Sequence, residues 1–117
     1  MTTPNDIRPD QLPETVRGYL AAHDAGDADT ALRAFTPTAV VVDDGLTYRG
    51  TAEIRRFLAK AGAEFTYTST LVAAERSDDA HWIATKHLVG DFPGGVVDLR
   101  YRFAMDGDSI AELVIAP

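Results

Sequence analysis

The apolar positions of this chain change period near residue 65. Before that point they recur at helical spacing, and after it they alternate. Val16, Tyr19, Leu20 and His23 fall at i, i+3, i+4 and i+7, one stripe of a helix. Pro13 suits the first turn of that helix, and Gly26 suits a left-handed cap at its end. Asp27 or Asp29 can cap a second helix, DADTALRAF, with Leu32 and Phe35 turned inward and Pro37 as its stop. Val40, Val41 and Val42 read as a buried strand, DDGL as a turn, and LTYRG as a short returning strand. Thr51 can cap a third helix, AEIRRFLAKAG, striped by Ile54, Phe57, Leu58 and Ala61 and ended by Gly62.

The alternating part predicts strands near 65–76, 80–91, 96–106 and 109–116, separated by the turns RSDDA, FPGG and MDGDS. Connections this short make an antiparallel meander. Helices first and a long sheet last is an α+β pattern. A twisted sheet of this length can wrap the helices and leave a cavity. Residues 1–11 carry Pro4 and Pro9 and no apolar period, so they are expected to form a loose tail. Residues 12–117 then form a single domain.

Totals narrow the function. The chain has 117 residues, 45% hydrophobic and 25% charged, which fits one globular domain. Its formal charge of -7 speaks against a nucleic-acid partner and against an anionic membrane surface. No apolar run approaches the ~18 residues of a membrane span. The start, MTTPNDIRPDQ, lacks the basic and apolar segments of a signal peptide, so the cytoplasm is the expected compartment. Cysteine is absent, which removes disulfides and thiol catalysis. The three histidines make no metal-ligand spacing: His81 and His87 share a strand face but lie ~20 Å apart, and His23 is on a helix. No Gly-rich phosphate loop or serine nucleophile elbow is present, so no metal or cofactor is expected.

The candidate chemistry centres on Asp43. It continues the strand face of Ala39 and Val41, and so points into a cavity if that face lines one. Burial there would make it a better base near neutrality. The other reading is a turn, because Asp side chains in DDG bond local backbone. Tyr19 lies on the first helical stripe, as a core aromatic or a hydroxyl donor. Tyr101 shares a face with Val97, Leu99, Phe103 and Met105, while Asp98, Arg100 and Arg102 form a polar face opposite. His87 sits on a mixed face of its strand, and the pattern leaves open which face sees the cavity.

The order helix–helix–strand–turn–strand–helix–four strands resembles the nuclear transport factor 2-like superfamily. GDADTALRAFTPTAVVVDDGLTYRGTAEIRRFLA is similar to the SnoaL-like and ketosteroid-isomerase-like branch. The resemblance covers nearly all of residues 12–116. It implies a cone: a curved, mostly antiparallel sheet wrapped over three N-terminal helices, the cystatin-like α+β roll. It also implies a homodimer, usually through the outer sheet face. Ketosteroid isomerase works with an Asp base and two oxyanion donors, a Tyr and a protonated Asp. Matching YLAAHDAGD to its first helix puts Tyr19 at the donor tyrosine, and matching FTPTAVVVDDG puts Asp43 at the base. Aligning DLRYRFAMD puts Tyr101, not an acid, at the second donor. Phe35, Val41, Phe57, Leu99, Phe103 and His87 are the side chains expected to bind substrate. The resemblance thus implies a cofactor-independent isomerase or cyclase acting on a small apolar, steroid- or polyketide-like carbonyl compound. The fold alone leaves open a non-catalytic ligand-binding or dimerisation module.

Overall fold

The computed structural model describes residues 5–61 and 67–117. Three helices lie against one curved, unclosed sheet of seven strands among these residues: α1 (Glu14–Asp24), α2 (Ala28–Arg33) and α3 (Gly50–Ala61), with β1 (Asp6–Ile7), β2 (Phe35–Asp43), β3 (Leu46–Arg49), β4 (Tyr67–Asp78), β5 (His81–Gly90), β6 (Val96–Asp106) and β7 (Ser109–Ala116). The sheet order is β1-β4-β5-β6-β7-β2-β3. The expected meander β4 to β7 forms as consecutive antiparallel pairs, and β7 then pairs parallel with β2. None of the helices among the described residues is long and apolar enough to cross a membrane.

The helices bury the stripes that their spacing predicts. Val16, Tyr19 and Leu20 of α1 and Ile54, Phe57 and Leu58 of α3 enter one core with Val41, Phe103, Ile110 and Leu113 of the sheet. Gly26 takes a left-handed φ of 72° just beyond α1, a conformation that costs glycine little. Asp27 caps α2 by accepting from the Thr30 N–H at 3.2 Å.

Four details differ from the sequence reading. Asp6–Ile7 adds a short strand to the edge of β4, and Pro9–Gln11 forms a 3-10 turn, so this part of the expected tail is tied to the sheet. Helix α2 ends at Arg33, and Phe35 opens β2 instead of closing the helix. Pro37 lies inside β2, where the register with β7 shifts between Phe35 and Val40, and β3 pairs only from Val40 onward. A proline with no N–H fits there because little ladder bonding is asked of it. Helix α3 starts at Gly50, ahead of the expected Thr51 cap, and Glu53 Oε1 accepts from the Arg49 N–H at 2.8 Å. The expected stop at Gly62 and the first residues of the strand near 65 lie outside the described residues.

Candidate active site

The site begins at the end of β2. Asp43 is the last residue of that strand and pairs with Leu46 across the hairpin. Asp44 and Gly45 make the turn, with φ of 52° and 75°. Two positive φ values in a two-residue loop are the type I′ hairpin pattern, which the strand twist favours. The turn of DDG therefore belongs to its second and third residues. Asp43 remains a strand residue, on the inward face with Ala39 and Val41.

Between this face and the helices lies a cavity of about 240 Å³. Its apolar wall includes Phe57 of α3, Leu88 of β5, Leu99 of β6 and Ile115 of β7. Four polar side chains join it: His23 of α1, Asp43 of β2, Tyr67 of β4 and Tyr101 of β6. A larger hollow of about 430 Å³ lies beside Arg102, Glu112 and Val114. By strand alternation it is a groove on the open face of the sheet, away from the helices and from Asp43.

Tyr101 is 4% exposed, and its ring stacks on Phe103 with centroids 6.5 Å apart. Burial, with Tyr67, Asp24 and Asp43 nearby, pushes its hydroxyl far above the ordinary tyrosine range, so it stays protonated as a donor. Tyr67 is pushed up as well, by burial and then by Asp24. Tyr19 is 1% exposed and does not border the cavity. Its ring meets Phe35 and Phe103 edge-on at 5.3 and 5.9 Å, and its hydroxyl finds no hydrogen-bond partner among the described residues. Burial, then Tyr101 and Asp43, raise it too, which puts Tyr19 electrostatically close to both.

The other expected residues divide. Phe57 and Leu99 line the cavity. Val41 and Phe103 are core residues, and Phe35 packs on the core beside Tyr19. His87 is not brought to the cavity. It stands on the outer face, with its side chain 42% exposed and Nδ1 2.6 Å from Asp98. The even-numbered residues Ala84, Lys86 and Leu88 are the inward, buried ones of β5, which resolves the face that alternation left open.

Three features escaped the sequence reading: His23 as a cavity-wall residue, Tyr67 in the same lining, and an ion pair made by a buried lysine. Lys86 is 3% exposed, and its Nζ lies 2.5 Å from Asp24 Oδ2. The available signal was one lysine interrupting the apolar run Trp82, Ala84, Leu88. His23 stacks between Tyr19 and Phe57, at 5.8 and 6.4 Å. Burial lowers its pKa; Asp24 works against that shift and Lys86 adds to it. Among the described residues no group of three or more His, Asp or Glu side chains converges as a metal site.

The SnoaL-like domain profile matches residues 16–112. The chain belongs to the SnoaL-like family. A candidate polyketide cyclase from Sinorhizobium meliloti is 29% identical and superposes with a TM-score of 0.86 over 94% of this chain and 100% of that one. A SnoaL-like chain also shares its fold with the Δ5-3-ketosteroid isomerase of Mycobacterium sp., at 19% identity and a TM-score of 0.70 over 88% and 89% of the two chains. A protein of ketosteroid isomerase-like fold from Catenulispora acidiphila, solved with trimethylamine, gives 20% identity and a TM-score of 0.78 over 90% and 85%. No curated protein matches the sequence significantly.

Proposed function

We propose that this SnoaL-like protein is a cofactor-independent isomerase or cyclase that moves a proton on a small apolar carbonyl compound. The observation that carries this reading is that Asp43 and the Tyr101 side chain border one largely apolar cavity. Asp43 takes a proton from the carbon beside the carbonyl. Negative charge then develops on the carbonyl oxygen, where the protonated Tyr101 hydroxyl donates to it. The Asp43 carboxylic acid returns the same proton to another carbon, and the Asp is regenerated with no net change in electrons. The SnoaL-like profile and the ketosteroid isomerase likeness support the reaction class.

Cavity size supports a substrate smaller than a steroid. An apolar cavity of ~150 Å³ takes a benzene ring, and drug-sized ligands occupy roughly 300 Å³ and more. A cavity of about 240 Å³ suits one or two rings. The test is exchange of the acidic α-proton of a bicyclic ketone such as indanone in deuterated water, followed by NMR. Exchange above the buffer rate in wild type, abolished by Asp43→Asn, supports the reading, and equal exchange in both proteins overturns it.

A second reading, a non-catalytic binding module, is favoured by one observation. Tyr19 is not among the side chains that line the cavity, and its hydroxyl has no hydrogen-bond partner among the described residues, so the donor set of the isomerase comparison is incomplete at the cavity surface. Saturable binding of the ketone without exchange distinguishes it. In either case we propose a homodimer through the outer sheet face, where Val72, Val89 and Val96 are exposed beside the His87–Asp98 and Arg100–Glu75 pairs. A monomeric mass in sedimentation equilibrium at micromolar concentration overturns this.

A further inference from the structure

His23 is a titratable side chain in the cavity wall that the proton-transfer scheme leaves unused. It comes from α1, whereas Asp43 and Tyr101 come from the sheet, so the wall carries polar groups on both its helical and its sheet side. Its ring is fixed by stacking on Tyr19 and Phe57. Its Nε2 is buried and meets no hydrogen-bond partner among the described residues. A buried polar nitrogen without a partner costs free energy that a bound group can recover.

The ring also borders a smaller hollow between the helices, lined by Ala22, Ala31 and Leu58. Among the described residues the only other ionisable side chain there is Asp27, already occupied by the Thr30 N–H and hydroxyl as a helix cap. The charges that act on His23 among the described residues are Asp24 and Lys86, and these are bonded to each other. Of the two hollows that the ring borders, the main cavity is the one that also holds Asp43 and Tyr101, so a ligand seated there is the candidate partner for Nε2.

We infer that His23 is a ligand-binding residue that hydrogen-bonds a second oxygen of the substrate, so that the substrate class is a one- or two-ring ketone bearing a hydroxyl or further carbonyl away from the reacting carbonyl. This rests on the reading of the cavity as a carbonyl-compound site, and it adds a recognition element on the helical wall. A neutral imidazole donates at one nitrogen and accepts at the other, so it serves either oxygen type. It leaves the reacting carbon to Asp43. His23 is thus a specificity residue, and its loss should cost discrimination between ligands more than the rate of proton transfer.

The test compares indanone with a set of ring-hydroxylated indanones by calorimetry on the full chain, for wild type, His23→Phe and His23→Gln. The Phe variant keeps an aromatic ring between Tyr19 and Phe57, and the Gln variant keeps a polar atom. At least one hydroxyindanone should bind wild type roughly tenfold tighter than indanone, the scale of one buried hydrogen bond. That advantage, read as the ratio of hydroxyindanone to indanone affinity within each protein, should vanish in His23→Phe and return in part in His23→Gln. An advantage that survives in His23→Phe, or no advantage for any isomer in wild type, overturns the inference. Failure of every ketone to bind overturns the pocket reading and this inference with it. Hydroxyl preference that depends on His23, with no α-proton exchange, upholds the inference while the isomerase reading alone falls.

Discussion

Asp43 and Tyr101 stand in one transverse row of the sheet, on either side of Ile115. Ile115 of β7 is in register with Asp43 of β2 and with Tyr101 of β6. Strands lie about 4.8 Å apart, so the two backbones are about 10 Å from each other. All three side chains face the same cavity. A carboxylate is short and a phenol is long, so this spacing places base and donor around one small ligand without crowding it. Ile115 gives the floor between them an apolar surface. The parallel pairing of β7 with β2 creates the row, because it joins the chain's first long strand to its last.

Asp43→Asn tests the base. The amide keeps the shape and removes the basic oxygen. We expect α-proton exchange to fall by roughly 100-fold or more, the usual contribution of a positioned general base. Ketone affinity and the urea midpoint should stay near wild type, because Asp43 ends a strand whose burial comes mainly from Ala39 and Val41. Exchange within a factor of two of wild type would remove Asp43 from the mechanism.

The tyrosines separate by paired substitutions. Tyr101→Phe keeps the ring stacked on Phe103 and removes the donor, so kcat for exchange should fall by roughly 100-fold while KM moves little. Tyr19→Phe should leave exchange almost unchanged and raise stability by about 1 kcal/mol, because it deletes a buried hydroxyl that has no partner among the described residues. A large loss of exchange in Tyr19→Phe would return that hydroxyl to the reacting centre.

Most of the fold was legible because each segment carried a strong period, from the α1 stripe to the alternation of β6. The strand-end position of Asp43 and the inward face of Tyr101 followed from the same periodicity. Other positions were set by packing that no local pattern encodes. Phe35 lies three residues after Leu32, which suits a helix, yet its pairing with Ile110 of β7 places it in β2. His87 was misplaced because both faces of β5 are mixed in polarity. Thr85 and His87 lie outward, while Lys86, the inward polar residue, is neutralised by Asp24, 62 positions away in sequence. His23 was visible on the α1 stripe, but its place in one cavity wall with Asp43 needs the whole sheet to curl under the helix.

Stability should form a plateau bounded by His23 and the tyrosines. Burial lowers the folded pKa of His23, with Asp24 opposing and Lys86 assisting. The unfolded chain therefore takes this proton first, at about 6.5. Stability is full above that pH, falls as pH drops through the window down to the lowered folded value, and then levels off as far as His23 is concerned. Tyr19, Tyr67 and Tyr101 shift the other way, all raised chiefly by burial. Their contribution is complete below about 10 and is lost as pH rises beyond it, because only the unfolded chain ionises there. Asp27 and Asp78 have lowered values and act in a separate, more acidic window. Urea midpoints across pH should show both shoulders. His23→Gln should flatten the acid one and Tyr101→Phe part of the alkaline one, and unchanged shoulders would reject these assignments.

The Lys86–Asp24 pair should respond asymmetrically to loss of either partner. Lys86 is buried at 3% exposure, whereas the Asp24 side chain is 35% exposed. Removing a carboxylate from a buried ammonium leaves a charge that water cannot reach, and breaking fully buried pairs this way costs about 3–5 kcal/mol. Asp24→Asn should cost less than that, about 2 kcal/mol, because the amide oxygen still accepts a hydrogen bond. Lys86→Met should cost under about 1 kcal/mol, since Asp24 can hydrate and the methionine refills the apolar space beside Ala84 and Leu88. The reverse order in urea denaturation would mean that Asp24, and not Lys86, is the charge the fold depends on. The same two variants should move His23 in opposite directions. Loss of Asp24 removes the influence that raises its pKa, and loss of Lys86 removes one that lowers it. NMR titration of the His23 ring reads both shifts in the folded protein, separately from their effect on stability.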